Sequence, residues 1–158
     1  MHISRRSREG FTLIELLIVI AVIAILAAIA IPNLLSSRKS ANETSAIGSL
    51  RTMNSAEATY RSRNTSYADL AGLTAASLVD PALGAATSTA NSKSGYFFNI
   101  AGNTTSTYWI TGQPAVSSGD RYFYTDESGV IFAAPTSATL PTGDSNGQAP
   151  SGFTQIGN

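Results

Sequence analysis

The chain has no cysteine. A disulfide framework, a thiolate nucleophile and a cysteine metal site are therefore excluded. Histidine is nearly absent as well, the single one being His2. Beyond it, Ser-His and Cys-His catalysis have no base, and no pair of carboxylates marks a cleft for acid–base work. The residues read as those of a protein that is not an enzyme, and none of them calls for a cofactor. An excess of charge is also missing, since ten basic side chains stand against ten acidic ones. Nucleic-acid binders normally display a basic surface, so nucleic acid is not indicated as a partner.

What the chain does have is one long apolar run. Every residue from Leu16 to Ile31 is Leu, Ile, Val or Ala, and only Thr12 and Glu15 are polar between Phe11 and Ile31. As a helix, residues 11–31 span roughly 31 Å, which matches a hydrocarbon core of roughly 30 Å. Arg5, Arg6 and Arg8 precede the run and hold the N-terminus on the cytoplasmic side; Arg38 and Lys39 beyond it dilute that bias. An ordinary secretory signal is the competing reading, with Ala28-Ile29-Ala30 as its cleavage site, but the run is longer than such signals use. Glu15 is what a plain anchor does not explain, because a carboxylate inside a membrane helix is costly and wants a cation as partner. A cut after Gly10 would supply one, in the new α-amine of Phe11.

The stretch Gly10-Phe11-Thr12-Leu13-Ile14-Glu15, behind its short basic leader, resembles the processing motif of type IV prepilins and type II secretion pseudopilins. The resemblance implies cleavage between Gly10 and Phe11 by a prepilin peptidase that also N-methylates Phe11. It further implies that Glu15 neutralises the Phe11 amine of a neighbouring subunit during assembly from an inner-membrane platform. Loss of residues 1–10 removes three basic side chains and one acidic one, leaving seven against nine and a mildly acidic mature chain. Many members of that family close a C-terminal loop with a disulfide, so here the loop is held in another way.

Pro32 follows the apolar run and predicts a kink, because proline removes a helical hydrogen bond and crowds the preceding turn. The helical pattern continues past it: Ala46, Leu50, Met53, Ala56 and Tyr60 share one face, with Ile47 at its edge. A helix over residues 11–62 is expected, its first part (11–31) the membrane span or filament core, with Asn64 as a left-handed cap. Residues 63–158 then form a head. Ser66 to Asp69 has capping-box character before a short helix, and Asp80-Pro81 caps another turn. Ala85 to Lys93 reads as a loop. Asn42, Asn64 and Asn103 begin N-x-S/T triplets of the kind that chance supplies in a chain rich in Ser and Thr.

From Gly95 the period changes to that of strands. Tyr96 to Ile100, Tyr108 to Gln113, Arg121 to Thr125 and Val130 to Ala133 are β-branched and aromatic runs separated by turn residues. Asp126-Glu127-Ser128-Gly129 fits a four-residue turn. A small antiparallel sheet over 95–134, packed on the helix, gives an α+β, pilin-like fold. Its Tyr, Phe and Trp109 side chains read as core. Asp120, Asp126 and Glu127 are weak candidates for a calcium site, and solvated turn residues explain them equally well. The tail from Pro135 reads as irregular or disordered, with Phe153 and Ile156 tacking down its end.

The reading is a structural subunit of a type IV pilus-like filament, whose partners are like subunits, the peptidase, the assembly platform and membrane lipid. It would be stored as a single-pass inner-membrane protein with its N-terminus in the cytoplasm, then exported into an extracellular pilus. Two alternatives stand beside it. One is a pseudopilin of a periplasmic type II secretion pseudopilus. The other is an envelope binding module on an uncleaved signal anchor.

Overall fold

The computed structural model describes residues 11–157. Gly10 and the leader arginines lie outside the described residues. A long helix, α1 (Leu13–Arg61), is followed by the short helices α2 (Leu70–Ala75) and α3 (Pro81–Gly84). Five strands come next: β1 (Tyr96–Ala101), β2 (Trp109–Pro114), β3 (Arg121–Asp126), β4 (Ile131–Pro135) and β5 (Thr154–Gly157). They form one antiparallel sheet in the order β1-β2-β3-β4-β5. The α+β, pilin-like architecture expected from the sequence is the one observed. The chain divides into two compact units between Ser37 and Arg38.

In the first unit α1 is apolar all round from Leu16 to Ile31 and runs through Pro32 as one helix. Every Leu, Ile and Val from Leu13 to Leu35 is exposed. In the second unit the same helix is amphipathic. Ala46, Leu50, Met53 and Ala56 are buried, and Ile47 and Tyr60 pack at the margin. The hydroxyls of Thr44, Thr52, Ser55 and Thr59 satisfy themselves on the carbonyl one turn back, which suits a helix face that meets water.

Strand alternation sorts the sheet into two faces. Tyr96, Phe98, Ile100, Ile110, Phe123, Ile131 and Ala133 join the helix stripe in one core. Tyr124, Phe132, Ala134 and Phe153 form a second core on the opposite face, with Trp109, Tyr122 and Leu140 packed against it. The tail from Pro135 covers that second face, and its end pairs with β4 as β5. Residues 136–153 contain no helix or strand, and β5 is the one element of the tail that the sequence reading does not expect. The apolar residues of β3 and β4 alternate onto both faces of the sheet, and the outer set needs a cover.

Two local signals differ from expectation. The cap of α2 is Asp69 rather than Ser66, its carboxylate accepting from the Gly72 amide. Asn64 is not among the residues with positive φ; its side-chain amide instead donates at 2.9 Å to the Tyr60 carbonyl, which also accepts from the Arg63 amide at 3.0 Å. The other two turns hold. Asp80 caps α3 with Pro81 in its first turn, and the Gly129 amide closes the β3–β4 turn on the Asp126 carbonyl at 2.9 Å. At Gly102 (φ 69°) the Trp109 ring lies where a Cβ would project, so both backbone and packing require glycine.

Candidate functional site

Phe11 is 92% exposed, and Thr12 stands immediately before the first residue of α1. Thr12 Oγ1 accepts from the Glu15 amide at 3.3 Å. In return the Thr12 amide and hydroxyl donate to Glu15 Oε2 at 2.8 and 2.6 Å. This reciprocal arrangement is a capping box, which satisfies donors that the first helical turn leaves without partners. The carboxylate also lies at the positive end of the helix dipole. Both contacts use Oε2, so Oε1 stays available to a further donor. Sequence reasoning singled out Glu15 for its charge but overlooked the cap, although Thr12-Leu13-Ile14-Glu15 carries its signature directly before the apolar run.

Beyond this start, the exposed apolar surface of residues 13–35 is far more than a water-soluble monomer presents, so lipid or other helices must cover it. It belongs to the one helix, among the described residues, that is long and apolar enough to cross a membrane.

In the head, the β2–β3 loop is fastened to α1 by charge. The nearly buried Glu43 accepts from the Asp120 amide at 3.0 Å and from Arg121 Nε and Nη2 at 2.9 and 2.8 Å. Lys39 pairs with Asp120 at 2.6 Å, and the Asn42 amide donates to the Ser118 carbonyl at 2.9 Å. Asp120 is thereby engaged with Lys39 and Glu43 and is not part of the acidic group that the structure gathers, which differs from the sequence grouping of Asp120, Asp126 and Glu127. The structure gathers Asp126, Glu127 and Asp144 instead, with a carboxylate oxygen from each within 4.8 Å of the others.

That cluster is first of all a fastening for the tail. Asp126 is fully buried, and both its oxygens are already taken. Oδ1 accepts from the amide and hydroxyl of Ser128; Oδ2 accepts from Ser145 Oγ and the Gly147 amide, each at 2.9 Å. The Tyr124 hydroxyl adds a bond to the Gly143 carbonyl and receives one from the Ser145 amide. Glu127 Oε2 is buried without a partner among the described residues. Burial, with Asp144 and Asp126 close by, raises the Glu127 carboxyl above the usual carboxylate range.

An exposed apolar helix that follows Phe11 and opens on the Thr12–Glu15 capping box, leading into a helix-backed antiparallel sheet, defines the pilin class. Residues 5–31 match the prokaryotic N-terminal methylation motif. The chain is 37% identical over 133 residues to the type IV wide pilus major component PilA4 of Thermus thermophilus, covering 84% of this chain and 98% of that protein. It is 43% identical over 73 residues to the type IV major pilin protein PilA of Myxococcus xanthus, covering 45% of this chain and 33% of that one. To the type II secretion system core protein G of Pseudomonas aeruginosa it is 36% identical over 63 residues, covering 40% of this chain and 44% of that one. The chain belongs to the type IV pilin and pseudopilin family.

Proposed function

We propose that this chain is the structural subunit of a type IV pilus. The observation that carries this reading is the extent of its likeness to a pilus component, 98% of that protein's length, where the secretion core protein shares 44%. A prepilin peptidase removes residues 1–10 on the cytoplasmic face and methylates the Phe11 amine. Until assembly, residues 11–31 cross the inner membrane once with the N-terminus in the cytoplasm. The assembly platform then draws the helix from lipid into a bundle of like helices, and the heads, residues 63–158, face water.

In that bundle Glu15 meets the Phe11 amine of a neighbour. The capping box supports this reading, because Oε2 holds the helix start while Oε1 is available to the incoming cation. A buried charge is tolerated only when it is paired, so the pairing favours one axial register over others.

Intact mass and N-terminal sequencing of the protein sheared from cells test the proposal. A chain that begins at Phe11 and carries one added methyl group is expected. A chain beginning at Ile31 would mean a secreted protein and sink the filament account; retention of Met1 would leave a tethered binding module. Loss of exoprotein secretion on deletion, without loss of surface filaments, would move the subunit to a pseudopilus.

A further inference from the structure

Glu57 lies near the end of α1 and is fully buried. Its Oε2 accepts from the Ala68 amide at 3.0 Å, which ties the helix to the segment that leads into α2. Its Oε1 is buried without a hydrogen-bond partner among the described residues. Arg61, one turn further on, gives its donors to the carbonyls of Thr105 and Asn64 instead. No ion pair among the described residues includes Glu57.

The groups that bear on it from the packed elements bring no compensating cation. Asp69, at the start of α2, is acidic. Tyr108, which leads into β2, donates its hydroxyl to Asn54 on α1. Around that ring stand Tyr67, Asp126 and Glu127. An ionised Glu57 is a buried charge with one bare oxygen, and a neutral carboxyl removes most of that cost. Burial first, with Asp69 adding to it and the Ala68 bond opposing it, pushes the Glu57 carboxyl up from 4.5 to about 7.

We propose that Glu57 is a proton-dependent clasp, holding residues 62–69 against α1 while protonated and releasing them when it ionises and draws in water. The released segment carries others with it. The Tyr67 amide donates to the Thr104 carbonyl at 3.0 Å and Arg61 Nε to the Thr105 carbonyl at 3.0 Å, so the β1–β2 loop hangs on the same stretch. The sign follows from linkage. The folded carboxyl holds its proton more tightly than the unfolded one, so the contribution is complete below about pH 4.5 and is lost as pH rises through about 7.

Amide hydrogen exchange on the full chain in detergent micelles tests this, with wild type and Glu57→Gln side by side at about pH 5 and about pH 8. Comparison at equal pH cancels the intrinsic exchange chemistry. At the higher pH the Tyr67 and Ala68 amides of the wild type, which donate to Thr104 and Glu57, should exchange roughly tenfold or more faster than those of the variant, with the difference largely gone at the lower pH. Equal protection at the higher pH overturns the proposal. A second measurement needs no variant: the Glu57 carboxyl carbon, followed by NMR in the unaltered chain, should titrate well above 4.5. A midpoint near 4.5 overturns the proposal whether or not the variant folds.

Discussion

Glu15 holds two jobs, and chemistry can separate them. As the last residue of a capping box it needs a side-chain acceptor, which glutamine supplies. As a partner for a neighbour's amine it needs a charge, which glutamine lacks. Glu15→Gln should therefore leave the helix start and membrane insertion intact while abolishing filament yield, judged by fractionation and by microscopy of sheared material. Glu15→Ala should lose filaments too, and in addition weaken the helix start by about 1 kcal/mol. Normal filaments from Glu15→Gln would mean that the cap, not the charge, is what assembly uses. The anomaly of an acid at the head of an apolar run was legible in the sequence. Thr12 was legible in principle, but attention to Glu15 as a membrane charge hid its nearer partner.

Among the elements, the second half of α1 was readable because one side of it is buried and the other is wet. Its apolar residues keep a helical period, and Leu50, Met53 and Ala56 entered the core as the wheel places them. The four strands over 96–135 were readable because β-branched and aromatic residues cluster between turn signals. β5 was not. It is four residues long and follows a stretch of Pro, Gly and Ser whose order comes from partners distant in sequence, Ser145 and Gly147 lying 19 and 21 positions beyond Asp126. The tail should then depend on that one carboxylate. Asp126→Ala should destabilise the head by on the order of 3 kcal/mol, since it strands buried donors as well as removing a charged acceptor. Limited proteolysis should cut first within 136–152. A variant as protease-resistant as wild type would show that the second core alone holds the tail.

Taken whole, the chain assigns its two kinds of surface to two units. All the buried residues of both cores lie at or beyond Ala46, so the unit from Arg38 onward contains everything its own fold requires. A chain beginning at Arg38 should be soluble without detergent and unfold cooperatively on heating, with a circular dichroism spectrum of mixed helix and strand. Aggregation or a broad, non-cooperative melt would mean that the apolar unit contributes to the head's stability. The sequence displayed this division openly, through the contrast between an unbroken apolar run and a mixed, turn-rich remainder. Side-chain pairings such as Glu43 with Arg121 were hidden, because 78 positions separate the two residues and nothing local announces the match.

The fastening of the tail around Asp126 frees the head from the redox state of its surroundings. A loop closed by a disulfide waits for an oxidant and a thiol-exchange enzyme after export, and a reductant can undo it. Here the closure consists of hydrogen bonds to one buried carboxylate and the pairing of a terminal strand, which form as soon as the chain folds. Such a subunit can mature in an anaerobic or strongly reducing habitat as readily as in an aerated one.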